Sequence, residues 1–296
     1  MSKLKAWIAA ARLRTLPLSV SGIIVGSALA NAYFFNSFIF WLAIIVTIGF
    51  QVLSNFANDY GDGVKGTDAK RIGEKRMVAS GVISPKHMKR GMIITGVITF
   101  FIATILIFSA FGNEHFILSF VFFNLALLAI IAAVKYTVGK SAYGYSGLGD
   151  LFVFLFFGLL SVLGSYFLFT KTLRWGMLLP ATAIGCFSTA VLNLNNLRDI
   201  VSDAAVGKRT LVVKMGFEKA KKYHAFLLLF GMFCAVVYSV LQYWDALQFV
   251  YTLAFIPLIL NINKVFKNKE PHLLDSELKK VALSTFLFAM LFAIFN

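Results

Sequence analysis

FWLAIIVTIGFQVLSNFANDYGDGVKGTD, residues 40–68, runs a stretch of lipid-like side chains straight into three aspartates. Phe40 to Ala57 carries no charge and approaches the roughly 20 residues a helix needs to cross a bilayer core. Comparable apolar runs recur, and nine spans are expected: about 16–36, 38–58, 91–112, 116–136, 148–170, 174–197, 223–243, 246–264 and 280–296. A helix satisfies its backbone polar groups internally, so all nine should be helical; the alternating short strands of a membrane barrel are absent from the sequence. The expected class is therefore all-α, a polytopic membrane protein. Composition agrees, because the 296 residues are 59% hydrophobic and 14% charged, against roughly 25% charged in soluble domains.

Charge placement orients the chain. Of 28 Lys and Arg, 26 lie in the N-terminus and in the loops after spans two, four, six and eight, leaving only Lys171 and Arg174 opposite. The positive-inside rule then predicts a multi-pass protein of the cell inner membrane, with a cytoplasmic N-terminus and an outer C-terminus. Trp7, Trp41, Trp175 and Trp244 fall near span ends, as an aromatic belt requires. The net charge of +15 reads as topology and contact with anionic membrane lipid. Nucleic acid is not an expected partner, since the basic residues are divided among loops between spans. The apolar stretch before Arg12 is too short for a signal-peptide core. Cys186 and Cys234 lie inside spans without ligand spacing and the four His are scattered, so no zinc, haem or disulfide framework is expected.

The acids are concentrated. Of eight Asp, Asp59, Asp62, Asp68, Asp150, Asp199 and Asp203 all flank span ends on the basic side. Asn55, Asp59 and Asp62 are spaced by four and three, and Asn195, Asp199 and Asp203 by four and four. Residues three and four apart share a helix face, so each trio forms a stripe of oxygen donors whose like charges need a neutralising partner. Oxygen ligands without Cys or His suit magnesium, which bridges carboxylates to substrate phosphates. The Asp59 and Asp199 positions are 140 residues apart. That spacing suggests one integral membrane domain, 1–296, built of two related halves, about 1–140 and 141–296. Lys65, Arg71, Arg76, Lys208 and Arg209 are placed to meet a diphosphate. KYTVGKSAYGYSGLGD, residues 135–150, reads as a lid on the same side, with Lys135, Tyr136, Tyr143, Tyr145 and Asp150 as its candidate contacts.

These stretches resemble the UbiA superfamily of intramembrane aromatic prenyltransferases. The likeness spans nearly the whole chain and rests on RLRTLPLS (12–19), NDYGDGVKGTD (58–68), RMVASGVIS (76–84), residues 135–150 and NLRDIVSDAAVGKRTL (196–211). The family pattern NDxxDxxxD is met at Asn58, Asp59 and Asp62, with Gly66 in its last place and Asp68 two residues on. DxxxD is met at Asp199 and Asp203. An Arg-Pro common near the family's start is Arg12-Leu13 here. The branch it looks most like makes demethylmenaquinone from 1,4-dihydroxy-2-naphthoate. The resemblance implies nine helices around a central cavity that opens sideways to lipid under a cap of cytoplasmic loops. It also implies magnesium held by the four clustered Asp, a polyprenyl diphosphate donor, and transfer with decarboxylation. Alternatives are a family relative acting on hydroxybenzoate, homogentisate or haem, and more remotely an ion-coupled transporter. Transporter acids, however, lie near the bilayer midplane rather than at its edge.

Overall fold

The computed structural model describes residues 2–67, 76–139 and 142–295. Among the described residues nine helices are long and apolar enough to cross a membrane. They are α1 (Lys3–Ala30), α2 (Phe38–Lys65), α3 (Pro85–Phe111), α4 (Phe116–Lys135), α5 (Gly149–Thr170), α6 (Trp175–Arg198), α7 (Phe217–Leu241), α8 (Ala246–Lys267) and α9 (Pro271–Phe295). The number expected from hydropathy is met, and the described residues contain no strand.

Several helices outrun the apolar stretch that announced them. α2 continues past residue 58 until Gly66 caps it at φ 73. α3 begins six residues early, at Pro85, where the Ser84 hydroxyl accepts from His87 N–H. α9 begins at Pro271 rather than 280. Hydropathy marks only the part immersed in hydrocarbon, whereas a helix ends where its last backbone groups find other partners. α1 gains a separate first segment, Lys3–Ala11. Arg12 breaks it at φ 50, ψ 59, and a tight turn over Leu13–Thr15 leads into Leu16–Ala30.

The bundle is held by close approach as much as by apolar bulk. α6 is the central helix, with 72% of its apolar stretch buried, against 6% for α4, which therefore faces lipid. α2 lies along α3, α6 along α7, and α1 along both α5 and α9. Gly22 and Gly26 of α1 abut Ser161, Val162 and Ser165 of α5; a Cβ on Gly26 would stand 2.2 Å from the Val162 carbonyl oxygen. Small residues four apart let two backbones approach where lipid offers no hydrophobic drive to bring helices together. Gly158 and Gly185 make the same kind of contact between α5 and α6. Within α5, Phe154–Leu160 is wound as a π-helix. Trp41, Trp175 and Trp244 are exposed, as belt residues should be. Trp7 instead turns inward, edge-on to Phe56 at 5.2 Å.

Candidate active site

A cavity of about 450 Å³ runs down the bundle from its basic end, lined by seven of the nine helices and by nothing from α7 or α8. At the basic end its wall carries Arg12, Arg14, Asn58, Asp62, Arg76, Asn195 and Lys208. Deeper, Phe50, Leu106, Phe122, Phe157 and Leu168 make it apolar. Four rings lining one side form a series. Tyr136 meets Tyr143 edge-on at 5.3 Å, Tyr143 stacks on Phe152 at 4.0 Å, and Phe152 is near-parallel to Phe156 at 6.1 Å.

The first acidic stripe divides its labour. Because α2 continues to Lys65, Asn55, Asp59 and Asp62 do share one helix. Asp62 lines the cavity, and its Oδ1 accepts from the Tyr145 hydroxyl at 2.6 Å. Asp59 stands outside the lining. Its two oxygens accept from the backbone N–H groups of Met77 and Val78, at 3.0 and 2.9 Å. It thereby anchors the turn that brings Arg76 to the cavity. Asn55 lines the cavity, but its Nδ2 donates to Ala11 O at 2.9 Å.

The second stripe is bound up with the protein's own cations. α6 stops at Arg198, and Asp203 lies in a short helix, Ile200–Ala205. Asp199, between them at φ −93, ψ 4, accepts from both Nε and Nη2 of Arg198 at 2.7 Å. Arg198 also donates to Asp275 at 2.6 Å and to Asn195 Oδ1 at 2.8 Å. Lys208 Nζ lies 3.3 Å from Asp203. Asn195 and Lys208 line the cavity, while Asp199 and Asp203 stand behind it.

Tyr145 links the two clusters. Besides bonding Asp62, its ring has Lys65 Nζ 3.9 Å and Lys208 Nζ 5.5 Å from the centroid. Lys65 also donates to Thr137 O at 2.9 Å, and Arg209 N–H donates to Tyr145 O at 3.0 Å. Burial pushes the phenols of Tyr136 and Tyr143 well above their usual range, the charge of buried Asp150 adding to the effect on Tyr136. Both remain neutral donors at physiological pH. Lys135 and Arg209 are exposed and line no part of the cavity, so neither joins the site as expected. A lysine at the end of a lipid-facing helix keeps its charge in water. Asp68 and Arg71 lie outside the described residues.

Residues that sequence reasoning passed over include Arg14, Arg198, Asn196, Asp275 and Lys279, all in the lining. Arg198 counted only as a topological charge, because neighbours in a regular helix do not face each other. The irregularity at Asp199 lets them meet. The signal available was an arginine directly preceding a cluster aspartate. The donor set fits a hard cation, since the lining offers carboxylate and carboxamide oxygens and neither Cys nor His. Among the described residues, however, no three His, Cys, Asp or Glu side chains gather as a ready-made cage.

Among the described residues, nine membrane-length helices around a chamber charged at one end and aromatic along its wall make a multi-pass membrane protein with a substrate-sized internal chamber. The sequence pattern of the UbiA prenyltransferase family matches residues 19–294, and the chain belongs to that family; it is a polyprenyltransferase. It is 41% identical, over 99% of its length and 96% of the relative's, to the 1,4-dihydroxy-2-naphthoate octaprenyltransferase of Haemophilus influenzae. Identity is 42% over the same shares to the enzyme of that name from Escherichia coli. The fold is shared with a UbiA homolog from Archaeoglobus fulgidus solved with GPP and Mg2+, at TM-score 0.68 and 13% identity, covering 98% of this chain and 99% of that one.

Proposed function

We propose that the chain transfers a polyprenyl group from a polyprenyl diphosphate to 1,4-dihydroxy-2-naphthoate, with loss of carbon dioxide, in menaquinone synthesis. The observation that carries this reading is the division of the cavity into a charged end and an aromatic, aliphatic body. A prenyl diphosphate is divided in the same way. The names of the two full-length relatives supply the acceptor.

In this reading Arg12, Arg14, Arg76 and Lys208 hold the diphosphate, the arginines by paired N–H donors and the lysine as a point charge. Magnesium would be held by Asp62, with Asp199 and Asp203 behind it, and when bound it offsets charge on the leaving diphosphate. Ligation through Asp59 would require it to share the oxygens that now hold Met77 and Val78. Asp68 and Arg71, outside the described residues, are assigned to substrate contact, and Lys65 and Tyr145 to a lid. The allylic C–O bond breaks, and its electron pair leaves with the diphosphate. The ring series from Tyr136 to Phe156 flanks the resulting cation and keeps water from it. The ring carbon bearing the carboxylate then bonds to the prenyl carbon, and the C–CO2 bond returns its electrons to the ring as carbon dioxide departs. The product is the quinol; demethylmenaquinone follows from it by a separate two-electron oxidation.

The test uses the full chain in detergent with magnesium, octaprenyl diphosphate and acceptor labelled in its carboxyl group. The label should leave as carbon dioxide, one per prenyl transferred. Label retained in a prenylated product would reject the naphthoate reading while leaving prenyl transfer intact.

A further inference from the structure

Arg12 and Lys171 are the only described residues other than glycine at positive φ. Lys171 merely ends α5. Arg12 sits in the wall of the cavity. An L side chain in this backbone region crowds its own carbonyl, and the conformation persists only where the surroundings over-determine it.

Those surroundings come from one face of α2. Asn55 Nδ2 has two hydrogens. It donates to Ala11 O at 2.9 Å and to the Thr15 hydroxyl at 3.3 Å, on either side of Arg12. Gln51, one turn earlier, donates to the same hydroxyl at 3.0 Å, and Thr15 donates in turn to Arg12 O at 2.9 Å. Asn55 is buried and Arg12 half-buried. In a continuous helix, residues two apart point to nearly opposite sides. Arg12 and Arg14 would then be unable to line one chamber together, yet both do. The break between Ala11 and Leu16 is what allows it.

We infer that Asn55 is a positioning residue. It clamps α1 open at Arg12, so that two guanidinium groups converge where a diphosphate would sit. Its amide nitrogen serves α1 and is unavailable to a substrate. This differs from the role its place at the head of an acidic stripe suggests, and it rests on the proposed prenyl diphosphate donor.

The experiment measures binding of geranyl diphosphate to the full chain in detergent, with magnesium and with chelator, for Asn55→Ala, Arg12→Ala and the double variant. Each single change should weaken binding about tenfold under both conditions, as loss of one charge-assisted contact would. The double variant should lose less than the product of the two single losses, because both remove the Arg12 contact. An additive loss, or a defect of Asn55→Ala confined to magnesium, would overturn the inference and return Asn55 to the metal. Should Asn55→Ala fail to fold, Thr15→Val removes the shared hydroxyl and should show the same non-additivity with Arg12→Ala. Melting of Arg12→Gly above Arg12→Ala is expected without any ligand, since glycine accepts this backbone freely; the reverse order would overturn the strained clamp. If the unaltered protein binds no geranyl diphosphate, the donor assignment fails, and the melting comparison still decides the clamp.

Discussion

Asp62 and Asp199 belong to different stripes and meet different partners. Asp62 gives one oxygen to Tyr145 and faces the chamber. Asp199 gives both oxygens to Arg198, whose side chain is only 2% exposed. Asp62→Asn should therefore leave the fold intact and lower turnover by about 10³, equivalent to roughly 4 kcal/mol of barrier. The loss of prenyl diphosphate affinity should appear only with magnesium present. Asp199→Asn leaves a buried guanidinium with part of its pairing gone, and breaking such a pair costs about 3 kcal/mol. Thermal unfolding in detergent separates the two. Equal midpoints for both variants would mean that Asp199 is held no more tightly than Asp62.

At the scale of helices, the α1–α5 seam admits a sharp test. Gly26→Ala places a methyl 2.2 Å from both the Val162 carbonyl oxygen and the Ser165 hydroxyl. At Gly164 the same methyl meets only Leu160, at 3.7 Å. The first change should destabilise by about 1–3 kcal/mol, as overpacking does, and impair activity because both helices line the chamber. The second should leave the melting midpoint unchanged. The order of the two midpoints is the measurement. Much of this scale was legible in the sequence. The nine runs of apolar residues placed every span, and the spacing from Asn55 to Asp62 put three donors on one helix. Two things were not legible. The Lys3–Ala11 segment is too polar and too short to stand out by hydropathy, and its break rests on hydrogen bonds from α2, 36 to 44 residues away. The partners of Asp59 and Asp199 were hidden because a carboxylate's local sequence does not say whether backbone, guanidinium or solvent will face it.

For the molecule as a whole, we propose that the nine membrane-length helices among the described residues each cross the bilayer, which puts the two termini on opposite sides. The 26 basic residues expected on one side make that side the proposed cytoplasmic one. Cysteine labelling of intact cells should reach a tag at the C-terminus and not one at the N-terminus. Both ends responding alike would remove a crossing. We propose that the chain is built of two related halves, in each of which the cluster-bearing helix lies against the next span, α2 on α3 and α6 on α7.

α7 and α8 surround the centre of the bundle yet contribute nothing to the chamber wall. Their inner faces are tied together by a buried chain in which His224 bonds Asn261 and Asn261 donates to Glu277 of α9. We expect changes in α7 and α8 to act on how much folded protein persists in the membrane rather than on each copy's chemistry, except at Tyr223 of α7, which faces Asp150. Lineages could therefore adapt this enzyme to colder or hotter membranes by drifting in α7 and α8, while its choice of substrates stayed fixed.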